Sequence, residues 1–263
     1  RHLNDNPLFV VHVGDIFTTA RDYSMLCPRA EYEEIAAIFT ERSPLPTYVL
    51  PGDNDWTDCP DPDVAWDRWS ASFLPFERNW NDQSRLPSAT RRQEIRPENF
   101  AFEIDDVLIM GLNLIGGRRT DENAEEWDLR VGHCYQWAEE TVDGYLNDPG
   151  KKKLRALVIF GHARRGREIF FMLQDKLSNL DLDTVYIHGN GHTWYVEQPY
   201  DGWDRYWEVQ VDQGANAPPI KVTVKGVEDA RDNPPWGDGG NNRHVFGKYV
   251  LVDRRGGLYP WAQ

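Results

Sequence analysis

Tyr48-Val49-Leu50-Pro51-Gly52-Asp53-Asn54-Asp55-Trp56 is the stretch on which the reading of this chain turns. A short apolar run, read as a buried strand, breaks at Pro-Gly and delivers three oxygen-bearing side chains onto the following loop. In an α/β protein the sheet holds the backbone rigid while loops at strand ends expose the chemistry. Taken alone, Pro-Gly-Asp-Asn-Asp is better read as an ordinary turn, because Gly, Asn and Asp suit turns for conformational reasons. Three similar strand ends elsewhere in the chain weigh against that reading.

Upstream, Leu8 to Val13 is a compact apolar run ended by Gly14-Asp15, the pattern of a strand buried on both faces. Residues 28–42 place Tyr32, Ile35, Ala36, Ile38 and Phe39 at helical spacing, and Ser43-Pro44-Leu45-Pro46 stops the helix. Strand, helix and strand with short connections predict a βαβ unit and a parallel pair. Downstream, Asp58 to Asn99 is irregular and aromatic, with a short helix predicted over Asp63 to Phe73. Phe100–Ile104 and Val107–Asn113 predict a hairpin across Asp105-Asp106, and a helix is predicted over 121–147. Leu154–Phe160 predicts a strand ending at Gly161-His162, and a helix follows over Glu168–Leu177. Val185–Ile187 predicts a strand ending at His188-Gly189-Asn190-Gly191-His192. From there the pattern changes to β hairpins over Thr193–Gln198, Trp207–Val211, Ile220–Val224 and Phe246–Val252, with Val227 to Asn242 read as a surface loop.

With 263 residues the chain is long enough to bury a sizeable core. Its 29 Lys and Arg against 43 Asp and Glu give a net charge of −14. That balance argues against sequence-independent nucleic-acid binding and against docking to anionic membranes, and is compatible with a site that concentrates metal cations. No apolar run reaches the length of a membrane span.

The polar strand ends are therefore Asp15, then Asp53-Asn54-Asp55, then His162, then His188, Asn190 and His192. In a mostly parallel sheet such ends lie along one edge, where oxygen and imidazole donors converge as a dinuclear metal site requires. Side chains alternate in an extended segment, so His188, Asn190 and His192 are expected to face the same way. Each residue alone is better read as a cap, turn or structural histidine; the ordered set carries the argument.

That set resembles the calcineurin-like metallophosphoesterases, whose strand ends carry Asp-x-His, Gly-Asp, Gly-Asn-His-Asp/Glu, His and Gly-His-x-His in order. Gly14-Asp15 matches the second element and Pro51-Gly52-Asp53-Asn54-Asp55 the third, with Asp53 in a ligand slot and Asn54 in the slot of a catalytic His. Gly161-His162 matches the fourth element. Gly189-Asn190-Gly191-His192 matches the fifth, with Asn190 in place of its first His. The resemblance covers most of residues 8–224. The Asp-x-His element is absent, and the chain is expected to start just after it, as one N-terminally incomplete domain over residues 1–263.

What the resemblance implies is a layered α/β fold, a β-sandwich of mixed sheets flanked by helices and lacking its first strand here. It implies two divalent or trivalent ions (manganese, iron or zinc) held by Asp15, Asp53, His162, Asn190 and His192, and a small phosphorylated substrate attacked by metal-activated water. Because Asn54 cannot act as a general acid, His188, Asp55 or Asp58 is left to take that part. Arg164 and Arg165 stand ready either to clamp a phosphate or as a solvated pair opening a helix, and Asn113 either faces the cleft or shapes a turn. Cys27 and Cys59 are either a disulfide pinning the metal loop or two reduced thiols; a disulfide would favour a secreted or extracytoplasmic location. Cys134 is left unpaired. The competing reading is a binding module on the same scaffold with weakened ligands. A Ser- or Cys-nucleophile hydrolase lacks its Gly-x-Ser-x-Gly elbow.

Overall fold

The computed structural model describes residues 7–17, 27–80, 89–226 and 242–260. The first strand, β1 (Val10–His12), runs parallel to β2 (Thr47–Val49), with α1 (Arg29–Arg42) between them in sequence. The predicted βαβ unit is therefore present. The burial expected on both faces of β1 is not: its residues are half-buried, because β2 is its only strand partner among the described residues. In α1 only Tyr32 is fully buried, and Ile38, expected inside, is exposed.

A seven-stranded mixed sheet forms the centre of the molecule. It runs in the order β3 (Arg91–Arg92), β4 (Phe100–Ile104), β5 (Val107–Gly111), β6 (Ala156–Phe160), β7 (Asp183–His188), β9 (Tyr206–Gln210) and β8 (Tyr195–Glu197). Strands β5, β6, β7 and β9 are parallel, so their C-terminal ends share one edge. The Trp207–Val211 segment, read from sequence as part of a hairpin, meets that expectation only through β8; its other side pairs in parallel with β7. The sequence between β7 and β9, which includes β8, is long enough to return the chain to the edge where β7 starts, and a two-residue pattern cannot tell the two pairings apart.

Alternation along the central strands explains how the layers form. Leu108 and Met110, Leu157 and Ile159, and Tyr186 pack with Cys134, Trp137, Phe170 and Leu173 of α3 (Ala124–Leu146) and α4 (Arg167–Leu177). Their neighbours Val107, Ile109, Val158, Phe160, Val185 and Ile187 point to the opposite face and pack with Tyr48, Leu50, Phe246, Val250 and Val252. Strands buried on both faces read as continuous apolar runs, which is why β5, β6 and β7 stand out in the sequence. The second face is covered by β1–β2 and by a three-stranded sheet of β10 (Lys221–Val224), β12 (Val250–Asp253) and β11 (Arg243–Phe246). The chain is thus mixed α/β, with the large sheet flanked by helices.

Phe246–Val252 is two strands rather than the single one expected, broken at Gly247 where φ is +56°. The turn forms because the buried Asp183 carboxylate accepts the backbone N–H groups of Lys248 and Tyr249. Except for Asn242, the Val227 to Asn242 loop lies outside the described residues.

A third apolar cluster, rich in aromatic side chains, supports the loop that carries Asp53. In α2 (Pro62–Phe73), Asp61 caps the N-terminus by accepting from Val64 N, and Pro62 occupies the first helical position. The helix buries Trp69 and Phe73 against Tyr32 of α1 and against Phe76. Trp56, three residues beyond Asp53, tilts over Trp66, whose other neighbour is Trp69. The Cys27–Cys59 disulfide is formed and joins the start of α1 to the end of the loop; Cys134 is buried and unpaired. Both disulfide sulfurs lie against the carbonyl of Asn54, at 3.9 and 3.5 Å.

Candidate metal centre

Asp15, Asp53 and His162 each follow the end of a strand, and they meet. One ligand atom from each lies within 4.8 Å of the others. His162 Nε2 is 3.3 Å from Asp15 Oδ1 and 3.3 Å from Asp53 Oδ1, although His162 and Asp53 are 109 residues apart in the chain.

Backbone geometry brings them this close. Gly14 has φ +93°, and a Cβ there would lie 2.6 Å from His162 Nδ1 and 2.7 Å from Gly52 N. A Cβ on Gly116, after β5, would fall onto Asn190 Nδ2 and Asp53 Oδ2. Only a residue without a side chain fits at either place. Asp15 and His192 are themselves at positive φ (56° and 61°), a cost of about 1–3 kcal/mol each that clusters at functional sites.

The histidine is held in one orientation. His162 Nδ1 lies 2.8 Å from the carbonyl oxygen of Val13, so Nδ1–H donates there and Nε2 is the nitrogen turned to the carboxylates. A backbone carbonyl that fixes the tautomer in this way is the usual outer partner of a metal-bound imidazole. Asn190 Nδ2 donates to Asp53 Oδ2 at 3.1 Å and sits 3.1 Å from His162 Nε2. His192 stands at the rim, its Nε2 3.8 Å from Asp15 Oδ2 and its side chain 45% exposed.

Charge in the cluster is unbalanced. Burial raises the Asp15 carboxyl to about 7; the charge of His162 opposes that shift and Asp53 and Asp55 add to it. For Asp53 burial acts upward too, but the hydrogen bond and charge of His162 win and hold it below the ordinary value. His162 is raised despite its burial, by Asp53 and Asp15. Two carboxylates therefore share one imidazole in a largely desolvated place. Two hard oxygen donors and one imidazole are the ligand types that manganese, iron and zinc accept, so the residues present fit a divalent cation.

The remaining expected residues are placed differently. His188 does not face the way Asn190 does: the strand ends at His188, and the turn that follows breaks the alternation. Its Nε2 is 3.0 Å from Glu208 Oε1 and 3.0 Å from Tyr195 OH, away from the carboxylates. Asn54 shares its backbone N–H between Asp15 Oδ1 and Asp53 Oδ1, while its Nδ2 donates to Phe17 O. Asp55 is fully buried and accepts from Gly52 N and Phe17 N, stapling the two loops together; burial pushes its carboxyl up to about 6. Asp58 is exposed on the next turn.

Neither arginine is a free phosphate clamp. Arg164 pairs with Glu197 and with Glu208, and Arg165 Nη2 donates to Gly117 O. Asn113 is fully buried, bonded to Glu98 and Asn99 behind the segment that carries Gly116, and so shapes that turn. Gly116, Glu208 and Gln210 escaped the sequence reading. Gly116 lies five residues beyond the strand it belongs with, and Glu208 and Gln210 sit inside a β9 that alternates like any half-polar strand.

Comparison of the chain with protein-family models and with the curated proteins finds no match, so the chemistry rests on the donors themselves.

Proposed function

We propose that this chain is a metal-dependent phosphoester hydrolase of the calcineurin-like type, with Asp15, Asp53 and His162 as the heart of its cation site. The observation that carries the reading is the convergence of those three side chains from three separate strand ends on one cation-sized place. The parallel strands β5, β6, β7 and β9 sharing one edge, and the second layer of β1–β2, are what a metallophosphoesterase sandwich would use.

On this reading Asp15 and Asp53 would hold the cation through their carboxylate oxygens. His162 gives Nε2, oriented by Val13. Asn190 and His192 complete the set from the loop after β7. A bound pair of cations would supply a low-pKa water and charge neutralisation for phosphoryl oxygens. Asn54 offers its backbone N–H, not its amide, to the cluster, so no acid stands in its slot. Protonation of the leaving group then falls to solvent. The substrate class is a small phosphorylated molecule, mono- or diester. The Cys27–Cys59 disulfide favours an oxidising, extracytoplasmic setting, and no helix among the described residues is long and apolar enough to cross a membrane.

The second reading is a binding module on the same scaffold, favoured by the side chain of Asn54 being committed to Phe17 O. Manganese titration followed by hydrolysis of bis(p-nitrophenyl) phosphate and p-nitrophenyl phosphate separates the two. The enzyme reading expects metal uptake and turnover lost in Asp53→Asn. Uptake without turnover of either ester leaves the module, and absence of uptake overturns both.

A further inference from the structure

Three residues that flank the candidate ligands converge on one buried oxygen. Arg164 stands two residues after His162, His188 two before Asn190, and Tyr195 three after His192. Glu208 Oε1 lies 3.0 Å from His188 Nε2, accepts from Tyr195 OH at 2.9 Å, and pairs with Arg164 Nε at 3.1 Å. Glu208 and His188 are each only 1% exposed. Two positions along the same strand, Gln210 backs Gly191, and its Nε2 donates to Thr193 O at 2.5 Å. The two ligand-bearing loops are also laced directly, since Gly189 N and Asn190 N both donate to His162 O at 2.9 Å.

We infer that Glu208 is a positioning residue for the cation site, locking the His162–Arg164 loop and the Gly189–His192 loop into one register from beneath. The inference rests on the metal reading above. A purely structural buried carboxylate has no need to gather its donors from just those segments that carry ligands. A charged acceptor can serve three donors at one oxygen, and charge-assisted bonds are about twice as strong as neutral ones. Replacing the carboxylate with an amide keeps the volume but turns an acceptor into a donor or removes the charge that Arg164 answers. The loops are then free to shift relative to each other, and groups that orient ligands are typically worth about 10–100-fold in metal affinity.

The test is Glu208→Gln, titrated with Mn²⁺ and, separately, with Co²⁺ while its visible absorption is recorded. The expected result is about a tenfold rise in the Mn²⁺ dissociation constant, with an altered Co²⁺ band shape at saturation and a thermal midpoint of the metal-free protein that still reports a folded chain. Glu197→Gln, which removes only the outer partner of Arg164, is expected to leave both readouts at wild-type values. If Glu208→Gln fails to fold, Tyr195→Phe takes its place, with about a two- to threefold loss expected from removing one donor. A folded Glu208→Gln or Tyr195→Phe with wild-type affinity and spectrum overturns the inference while leaving the metal reading intact. So does Glu197→Gln losing as much as Glu208→Gln. Wild-type protein that binds neither ion overturns the metal reading itself.

Discussion

Strand β7 has buried acid at both ends, and the two ends are built on opposite terms. At its start, Asp183 is fully buried and its carboxylate is saturated by protein donors: Arg205 Nη2 at 2.5 Å, Lys248 N at 2.9 Å and Tyr249 N at 2.6 Å. The adjacent Asp181 is answered by the same Arg205 and by Lys248 Nζ. About 20 Å away, beyond the other end of the strand, Asp15 and Asp53 share the N–H of Asn54, one nitrogen of His162 and the amide of Asn190. One group fastens the C-terminal hairpin to the sheet. The other gathers acceptors in excess of what the chain supplies, the condition a cation relieves. Both ends hold a buried acid; what differs is that the donors at the second end are divided between two facing carboxylates.

That contrast can be broken most forcefully at the saturated end. Asp183→Ala strips Arg205 Nη2 and two backbone N–H groups of their acceptor and is expected to cost about 3–5 kcal/mol in urea unfolding. Its Mn²⁺ affinity should stay at the wild-type value. Next in size, reduction of Cys27–Cys59, which spans 32 residues, is expected to cost about 3–4 kcal/mol on chain-entropy grounds. It should also weaken Mn²⁺ binding, because the disulfide pins the loop that carries Asp53; a matched loss of stability with no change in affinity would separate that loop from the site.

At the unsaturated end the effect reverses with metal. Wild-type protein should gain about 2.7 kcal/mol at a hundred times the dissociation constant, a gain that differential scanning calorimetry would find missing in Asp53→Asn. Without metal, Asp15→Asn should be at least as stable as wild type, since it removes the carboxyl that burial raises. A metal-free variant less stable than wild type would show that Asp15 is saturated after all.

The smallest effect is a pH dependence carried by His12 on β1. Burial lowers its imidazole from 6.5 to about 4, with His162 adding to the shift, and its Nδ1 is buried without a partner. Because the folded value lies below the unfolded one, the unfolded chain binds more protons between them. This contribution to stability is therefore full above about pH 6.5 and is lost as pH falls towards 4. His12→Phe, packed like the native ring against Phe39, should flatten that slope in urea melts taken from pH 7 to 4. Hydrogen exchange should show β1 loosening in acid before the Asp183 clamp does.

How much of this was legible varies with the range of the interaction. The helices over residues 29–42, 62–73, 124–146 and 167–177 announce themselves by apolar spacing, caps and stops, all local signals. The buried strands β5, β6 and β7 do so by continuous apolar runs. Asp15, Asp53 and His162 could be named because each ends such a run, and Asn190 because it follows β7 in a glycine-rich turn. The direction of His188 could not be read, since it depends on where the strand stops pairing. The engagement of Arg164 could not either, since Glu208 lies far along the chain. Asp55 looked like its neighbours in sequence, and only the approach of Phe17 N and Gly52 N makes it a staple.

By itself, then, the sequence determined the order of strands and helices and the residues at the strand ends. Those follow from periodicity and backbone preference within a few neighbours. Only the tertiary structure decided which acids are matched by donors and which are left facing each other. That balance is a sum over contacts between segments distant in the chain, and no local pattern records it.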